Sequence, residues 1–184
     1  MPETLSNMLP LQSKAEPFTL LDTRTNEIFS LNDCPAQTAT VIMFLSNHCP
    51  YVKNIQIKLV EIANYYQTKG INFIAICSND IQKYPDDSPE KMRLEAEKLN
   101  YTFPYLYDES QTVAKQYQAA CTPDFYIFDK NMRCVYRGRF DESTPGNQKP
   151  VTGSDLIYAL DCIISAKPIL AEQKPSLGCN IKWK

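Results

Sequence analysis

Apolar runs broken by polar turns divide this chain into short strands and amphipathic helices. Thr40-Val41-Ile42-Met43-Phe44-Leu45 is almost continuously apolar, as expected of a strand covered on both faces of a sheet. From Pro50 the period changes. Val52, Ile55, Leu59, Ile62 and Tyr66 recur at helical spacing and form one apolar stripe, which Gly70 ends. Ile71-Asn72-Phe73-Ile74-Ala75-Ile76-Cys77 then predicts a second buried strand. Strand, helix and strand in this order predict a right-handed crossover joining a parallel pair. Upstream, Phe18 to Asp22 and Ile28 to Leu31 flank a polar turn and predict a hairpin. The polar stretch up to Glu16, with Pro2 and Pro10, reads as an irregular lead-in.

Further along, Ser88-Pro89 predicts a helix start, with serine as cap and proline at the first helical position. That helix is expected to reach about Asn100, with a short one over Ser110 to Tyr117. Phe125 to Phe128 and Arg133 to Arg137 predict a second hairpin through Asp129-Lys130-Asn131. A polar loop leads to Thr152-Gly153-Ser154-Asp155, which resembles a capping box for a last helix facing the core with Leu156, Leu160 and Ile163. Residues 167–184 carry Ile169, Leu170, Leu177, Ile181 and Trp183, and read as an ordered extension packed on a single domain. The result is an α/β chain with a mixed central sheet flanked by helices.

With 184 residues and 43% hydrophobic content, the chain can bury a sizeable core. A net charge of -2 with scattered signs gives no electrostatic reason to expect nucleic acid or an anionic membrane as partner. The start lacks the basic and apolar runs of a secretory signal, so a cytoplasmic location is expected. The isolated glycines form no phosphate-binding loop, and no cofactor is expected. Seven cysteines with no C-x-x-C pair, and a single histidine, do not make a structural zinc site, and no metal is expected. They read as buried thiols plus one or more working ones.

Cys49 is the first candidate. It lies between a buried strand and Pro50, at the start of a helix, where unpaired N–H groups and the helix dipole favour an anion. The thiolate is the nucleophilic form of cysteine. Its neighbour His48 could act as a base or support the thiolate, although adjacent side chains in extended backbone point to opposite sides.

The segment Phe44-Leu45-Ser46-Asn47-His48-Cys49-Pro50-Tyr51 resembles the active-site turn of thioredoxins and of the alkyl hydroperoxide reductase/thiol-specific antioxidant (AhpC/TSA, redoxin) group. Cys121-Thr122-Pro123-Asp124-Phe125 resembles the thioredoxin segment that carries a cis-proline and runs straight into a strand. The HCPY motif and the ending Gly178-Cys179-Asn180-Ile181-Lys182-Trp183-Lys184 are similar to an uncharacterised redoxin subfamily of that group. The resemblance implies a thioredoxin-like fold and a thiol-dependent oxidoreductase with antioxidant activity. Cys49 would be the nucleophile, Cys121 or Cys179 the resolving thiol, and Ser46, His48, Pro50, Thr122 and Pro123 the substrate-binding residues. Implied partners are a thiol or disulfide substrate protein or a small hydroperoxide, and a thioredoxin- or glutathione-type reductant, with a homodimer left open.

The chain also departs from the family patterns. Val52 stands where thioredoxins have their second cysteine, which excludes a CxxC dithiol. Peroxiredoxins carry proline at the position of Ile42 and serine or threonine at that of Ser46, so half of that pattern is present. Pro123 stands where they place an arginine, with Arg137 or Arg139 as candidate substitutes. The readings left open are thus a thiol-disulfide oxidoreductase, a peroxiredoxin-like hydroperoxide reductase, a non-catalytic redox sensor or binding module, and a copper chaperone using His48, Cys49 and Cys179. Cys77 is a weaker thiol candidate, while Cys34, Cys134 and Cys162 read as structural.

Overall fold

Period-two alternation along the central strand divides the core into two layers. In the computed structural model, which describes residues 3–35 and 37–184, the strands are β1 (Glu3–Leu5), β2 (Thr19–Asp22), β3 (Glu27–Ser30), β4 (Ala39–Phe44), β5 (Ile71–Cys77), β6 (Tyr105–Tyr107), β7 (Cys121–Thr122), β8 (Asp124–Asp129), β9 (Cys134–Gly138) and β10 (Leu177–Asn180). The helices are α1 (Pro50–Gln67), α2 (Pro89–Lys98), α3 (Thr112–Gln116) and α4 (Ser154–Ile164). Val41, Met43 and Leu45 pack with Leu59 of α1, Met92 of α2 and Leu160 of α4. Ile42 and Phe44 instead join Tyr117, Leu9 and Ile181 on the opposite side. Strands buried on both faces need this continuous apolar character.

Seven strands form one mixed sheet in the order β3-β2-β6-β5-β4-β8-β9. β4 and β5 are parallel, as the crossover reading expects, and β4 is antiparallel to β8. Both hairpins form, with β2 against β3 and β8 against β9. Ser88 caps α2 through its hydroxyl, which accepts from the Lys91 N–H.

Several features were not visible locally. β6 is a three-residue strand, too short to show a period. The expected lead-in contains β1, whose partner β10 lies at the other end of the chain, Thr4 opposite Gly178. Residues 1 and 2 of that lead-in lie outside the described residues. β10 in turn pairs with β7, so a second, three-stranded sheet β1-β10-β7 covers one end of the main sheet.

Two expectations need correction. The capping box before α4 is not what forms there. Gly153 is the N-cap at φ +70°, and a Cβ on it would stand 2.3 Å from Ile62 Cδ1. The Phe140 carbonyl takes the first-turn N–H groups instead, accepting from Asp155 and Leu156 at 3.2 Å each, while Asp141 holds the loop just before them by accepting from the Thr152 and Gly153 N–H groups at 2.7 Å each. Burial alone would raise the Asp141 carboxyl, but its bonds from Ser143, Gly153 and Thr152 hold it below the usual carboxylate range. In the C-terminal extension, Leu170 and Trp183 are exposed while Ile181 is buried. The polar Gln173 side chain pins this segment to β9, donating to the Val135 carbonyl and accepting from the Arg137 N–H, so Leu170 is not needed for docking.

Candidate active site

β4 ends at Phe44 and α1 begins at Pro50, so the five residues between them form a tight bend at the end of the sheet. Cys49 is the N-cap of α1 with extended backbone, and Pro50 occupies the first helical turn. There is no acidic side chain in that first turn to oppose an anion at the sulfur. Cys49 is fully buried, and its thiol donates to the Thr122 carbonyl at 3.1 Å. The Thr122–Pro123 peptide bond is cis.

The C-terminal strand supplies the second thiol. Cys179 lies opposite Thr122 in the β10–β7 ladder, and the Thr122 carbonyl is the one that accepts from the Cys49 thiol, so the ladder places Cys179 beside Cys49. Burial and then the neighbouring Cys49 push the Cys179 thiol up to about 12, so it keeps its proton at neutral pH. Both cysteines are free thiols. Gly178 makes the approach possible, since a Cβ there would stand 2.1 Å from the Thr122 carbonyl oxygen. Gly178→Ala must therefore push β10 off β7. A loss of about 1–3 kcal/mol is expected from such overpacking, together with faster alkylation of the uncovered Cys49. Thermal melts and timed iodoacetamide labelling with mass detection check both, and unchanged labelling would show that β10 does not cover Cys49.

Cys121 is placed differently. Its thiol points to the backbone carbonyls of Pro123 and Ser176, and burial followed by the nearby Asp124 raises it strongly. It lies near Cys49 and Cys179 without a hydrogen bond to either. Cys77 is fully buried and raised by burial and by the Asp87 charge. Arg137 and Arg139 have other partners: the Arg137 guanidinium bonds the Leu9 carbonyl and Gln173, and Arg139 pairs with Asp155 at 2.6 Å.

On the α2 side of the bend, the fully buried Asp87 collects several donors. The Asn47 N–H reaches it at 2.6 Å, the Ser46 hydroxyl at 3.0 Å and the Asn79 amide at 2.7 Å. His48 Nδ1 lies 2.7 Å from the same carboxylate, leaving Nε2 buried without a partner. The His48 ring stacks on Tyr84 at 5.1 Å. Neither Asp87 nor Asn79 stands out in sequence: Asp87 lies about forty residues from the bend and looks only like part of the polar lead-in to Ser88.

A cavity of about 320 Å³ is lined by Tyr51, Ile55, Pro123, Phe140 and Leu177 among others, with neither Cys49 nor Cys179 in its wall. Tyr51 donates its hydroxyl to the Glu3 carboxylate. No helix among the described residues is long and apolar enough to cross a membrane.

Comparisons with known proteins bear on the fold and the family. An uncharacterized conserved protein from Geobacillus kaustophilus is 54% identical, with 100% of this chain and 97% of that one covered and a TM-score of 0.98. A hypothetical protein from Sinorhizobium meliloti 1021 is 43% identical over 98% of each chain, with a TM-score of 0.95. The thioredoxin domain of a thiol-disulfide oxidoreductase from Bacteroides vulgatus is 17% identical, covers 70% of this chain and 88% of that one, and aligns with a TM-score of 0.59. No curated protein matches the chain. The low-identity likeness establishes the fold as thioredoxin-like. The model of the AhpC/TSA family matches residues 11–137, more than half of the sequence, and the chain belongs to that family.

Proposed function

We propose that this protein is a thiol-disulfide oxidoreductase in which Cys49 is the nucleophile and Cys179 the resolving thiol. The observation that carries this reading is the placement of two free thiols, Cys49 at the N-cap of α1 with its thiol on the Thr122 carbonyl, and Cys179 on a strand held opposite that same Thr122. Family membership is consistent with such chemistry.

The electrons balance within the pair. The Cys49 thiolate attacks one sulfur of a disulfide RSSR, and the first RS⁻ leaves, taking up a proton as RSH. Cys179 then attacks the mixed disulfide at Cys49, loses its proton and releases the second RSH. The protein is left with a Cys49–Cys179 disulfide, two electrons oxidised, and an external dithiol reductant restores it. The Thr122 carbonyl accepts the Cys49 S–H hydrogen bond in the reduced state. Pro50 fixes the start of the helix that holds Cys49, and Pro123 forms part of the wall of the cavity lined by Tyr51 and Ile55.

The test uses reduced protein and bis(2-hydroxyethyl) disulfide. About two equivalents of mercaptoethanol per chain are expected from the native protein and about one from Cys179→Ser, which stops at the mixed disulfide. Two equivalents from Cys179→Ser would remove Cys179 from the mechanism.

One observation favours a second reading, hydroperoxide reduction. Cys49 is completely covered, which suits a small oxidant better than a folded disulfide protein. The Cys49 thiolate would then break the O–O bond of ROOH and release ROH. Cys179 would condense with the resulting sulfenic acid, releasing water and giving the same disulfide. Reduced protein oxidised by hydrogen peroxide no faster than a simple thiol would exclude this reading.

A further inference from the structure

Asn79 touches both halves of the redox pair. Its Nδ2 donates to Asp87 Oδ2 at 2.7 Å, and its Oδ1 accepts from the Lys182 N–H at 2.8 Å. Asp87 in turn gathers Ser46, Asn47 and His48, the three residues before Cys49. Lys182 comes three residues after Cys179, and its carbonyl accepts from the Asp80 N–H and the Gln111 amide. Lys182 Nζ also sits 5.5 Å over the Tyr84 ring that stacks on His48. Two separate routes therefore join the C-terminal tail to the active-site bend, and Asn79, Asp80 and Asp87 all come from the segment between β5 and α2.

We propose that Asn79 and Asp87 are positioning residues that clamp the Cys49 bend and the Cys179 strand in register, so that the tail is a built-in part of the active site. The proposal rests on the Cys49–Cys179 reading. Asp87 has no lysine or arginine partner, and its buried charge is met by the bend's hydroxyl, N–H and imidazole and by Asn79. A buried carboxylate left with fewer donors is costly, so each donor holds the bend to this geometry. Among the described residues, Asn79 is the one whose side chain bonds both this carboxylate and the tail backbone. β10 is short and pairs with only two residues of β7, so the Asn79 bridge is a direct restraint between the tail and the bend that this ladder does not supply.

The test is the equilibrium constant of the reaction in which the protein dithiol and oxidised glutathione give the Cys49–Cys179 disulfide and two reduced glutathiones. This constant measures how well the two sulfurs are held together. Asn79→Ala is expected to lower it about tenfold, as does any loss of alignment between reacting groups. Asp87→Asn keeps the side-chain size but cannot accept from every donor, and is expected to lower it in the same direction. Leu31→Ala, a core variant just after β3 in the other layer of the core, lowers the melting temperature and should leave the constant within about twofold. An unchanged constant in a folded Asn79 or Asp87 variant overturns the clamp while leaving the pair intact. A native protein that forms no Cys49–Cys179 disulfide at all overturns the underlying mechanism instead.

Discussion

Replacing Cys49 by serine is expected to abolish disulfide exchange and peroxide consumption together, with a rate loss of about 1,000-fold or more, because a hydroxyl without an activating base is a poor nucleophile. The variant should nevertheless fold. Serine is among the preferred N-cap residues, and its hydroxyl can donate to the Thr122 carbonyl that accepts from the Cys49 thiol. Loss of activity would therefore report chemistry rather than collapse. The comparison with Cys179→Ser separates the two roles. Cys49→Ser should show neither attack nor resolution, whereas Cys179→Ser should still react once and then hold the adduct. Cys121→Ser should keep the native stoichiometry, since the Cys121 thiol is turned toward the Pro123 and Ser176 carbonyls. Residual turnover in Cys49→Ser, measured with stopped-flow fluorescence of the half-exposed Trp183, would assign the attack to another thiol.

The second large effect concerns stability. Asp124 is completely buried, and burial raises its carboxyl to about 8, outweighing the Tyr126 hydroxyl bond at 2.8 Å that stabilises the charged form. Its Oδ1 has no partner. The folded state thus binds this proton more tightly than the unfolded chain, whose carboxyl keeps its ordinary value of 3.8. The native contribution is fully present below about pH 4 and is lost as pH rises towards 8. A displacement of about four units, at about 1.4 kcal/mol each, bounds the loss at the order of 5 kcal/mol. Asp124→Asn should remove this slope, because the amide cannot ionise and its oxygen can accept from Tyr126. Urea midpoints at pH 5, 6.5 and 8 check it. The native protein should weaken steadily across that series while the Asn variant stays level, and parallel curves would place the titration elsewhere. Above pH 9 the buried thiols Cys77, Cys121, Cys134 and Cys179 add their own penalty, so the comparison belongs below it.

The parts of the fold that could be read from sequence are those whose signal is local. The apolar run of β4, the stripe of α1 and the Ser88 cap each lie within a few residues, and all three formed as expected. The cysteine at the head of α1 was legible for the same reason, since a strand, a bend and Pro50 define its place. β1, β7 and β10 were not legible, because each gains its identity from a strand more than fifty residues away. Cys179 could be named as a resolving candidate, but its place beside Cys49 depends on that pairing. Asp87 and Asn79 were missed for a related reason. A buried carboxylate is recognised by the donors gathered around it, and here the bend, the β5–α2 segment and the tail supply them from three separate stretches of chain. Gly178 carried a signal that was readable only afterwards, once the Thr122 carbonyl was seen to occupy the space of its missing side chain.

The most direct measurement of the central claim is disulfide mapping by mass spectrometry. Reduced protein is oxidised with one equivalent of diamide, free thiols are alkylated, and the digested chain is searched for cross-linked peptides. The account predicts a loss of about 2 Da per chain and a cross-link joining the Cys49 and Cys179 peptides. A link from Cys49 to Cys121, a link between two chains, or an alkylated Cys179 in oxidised protein would contradict it.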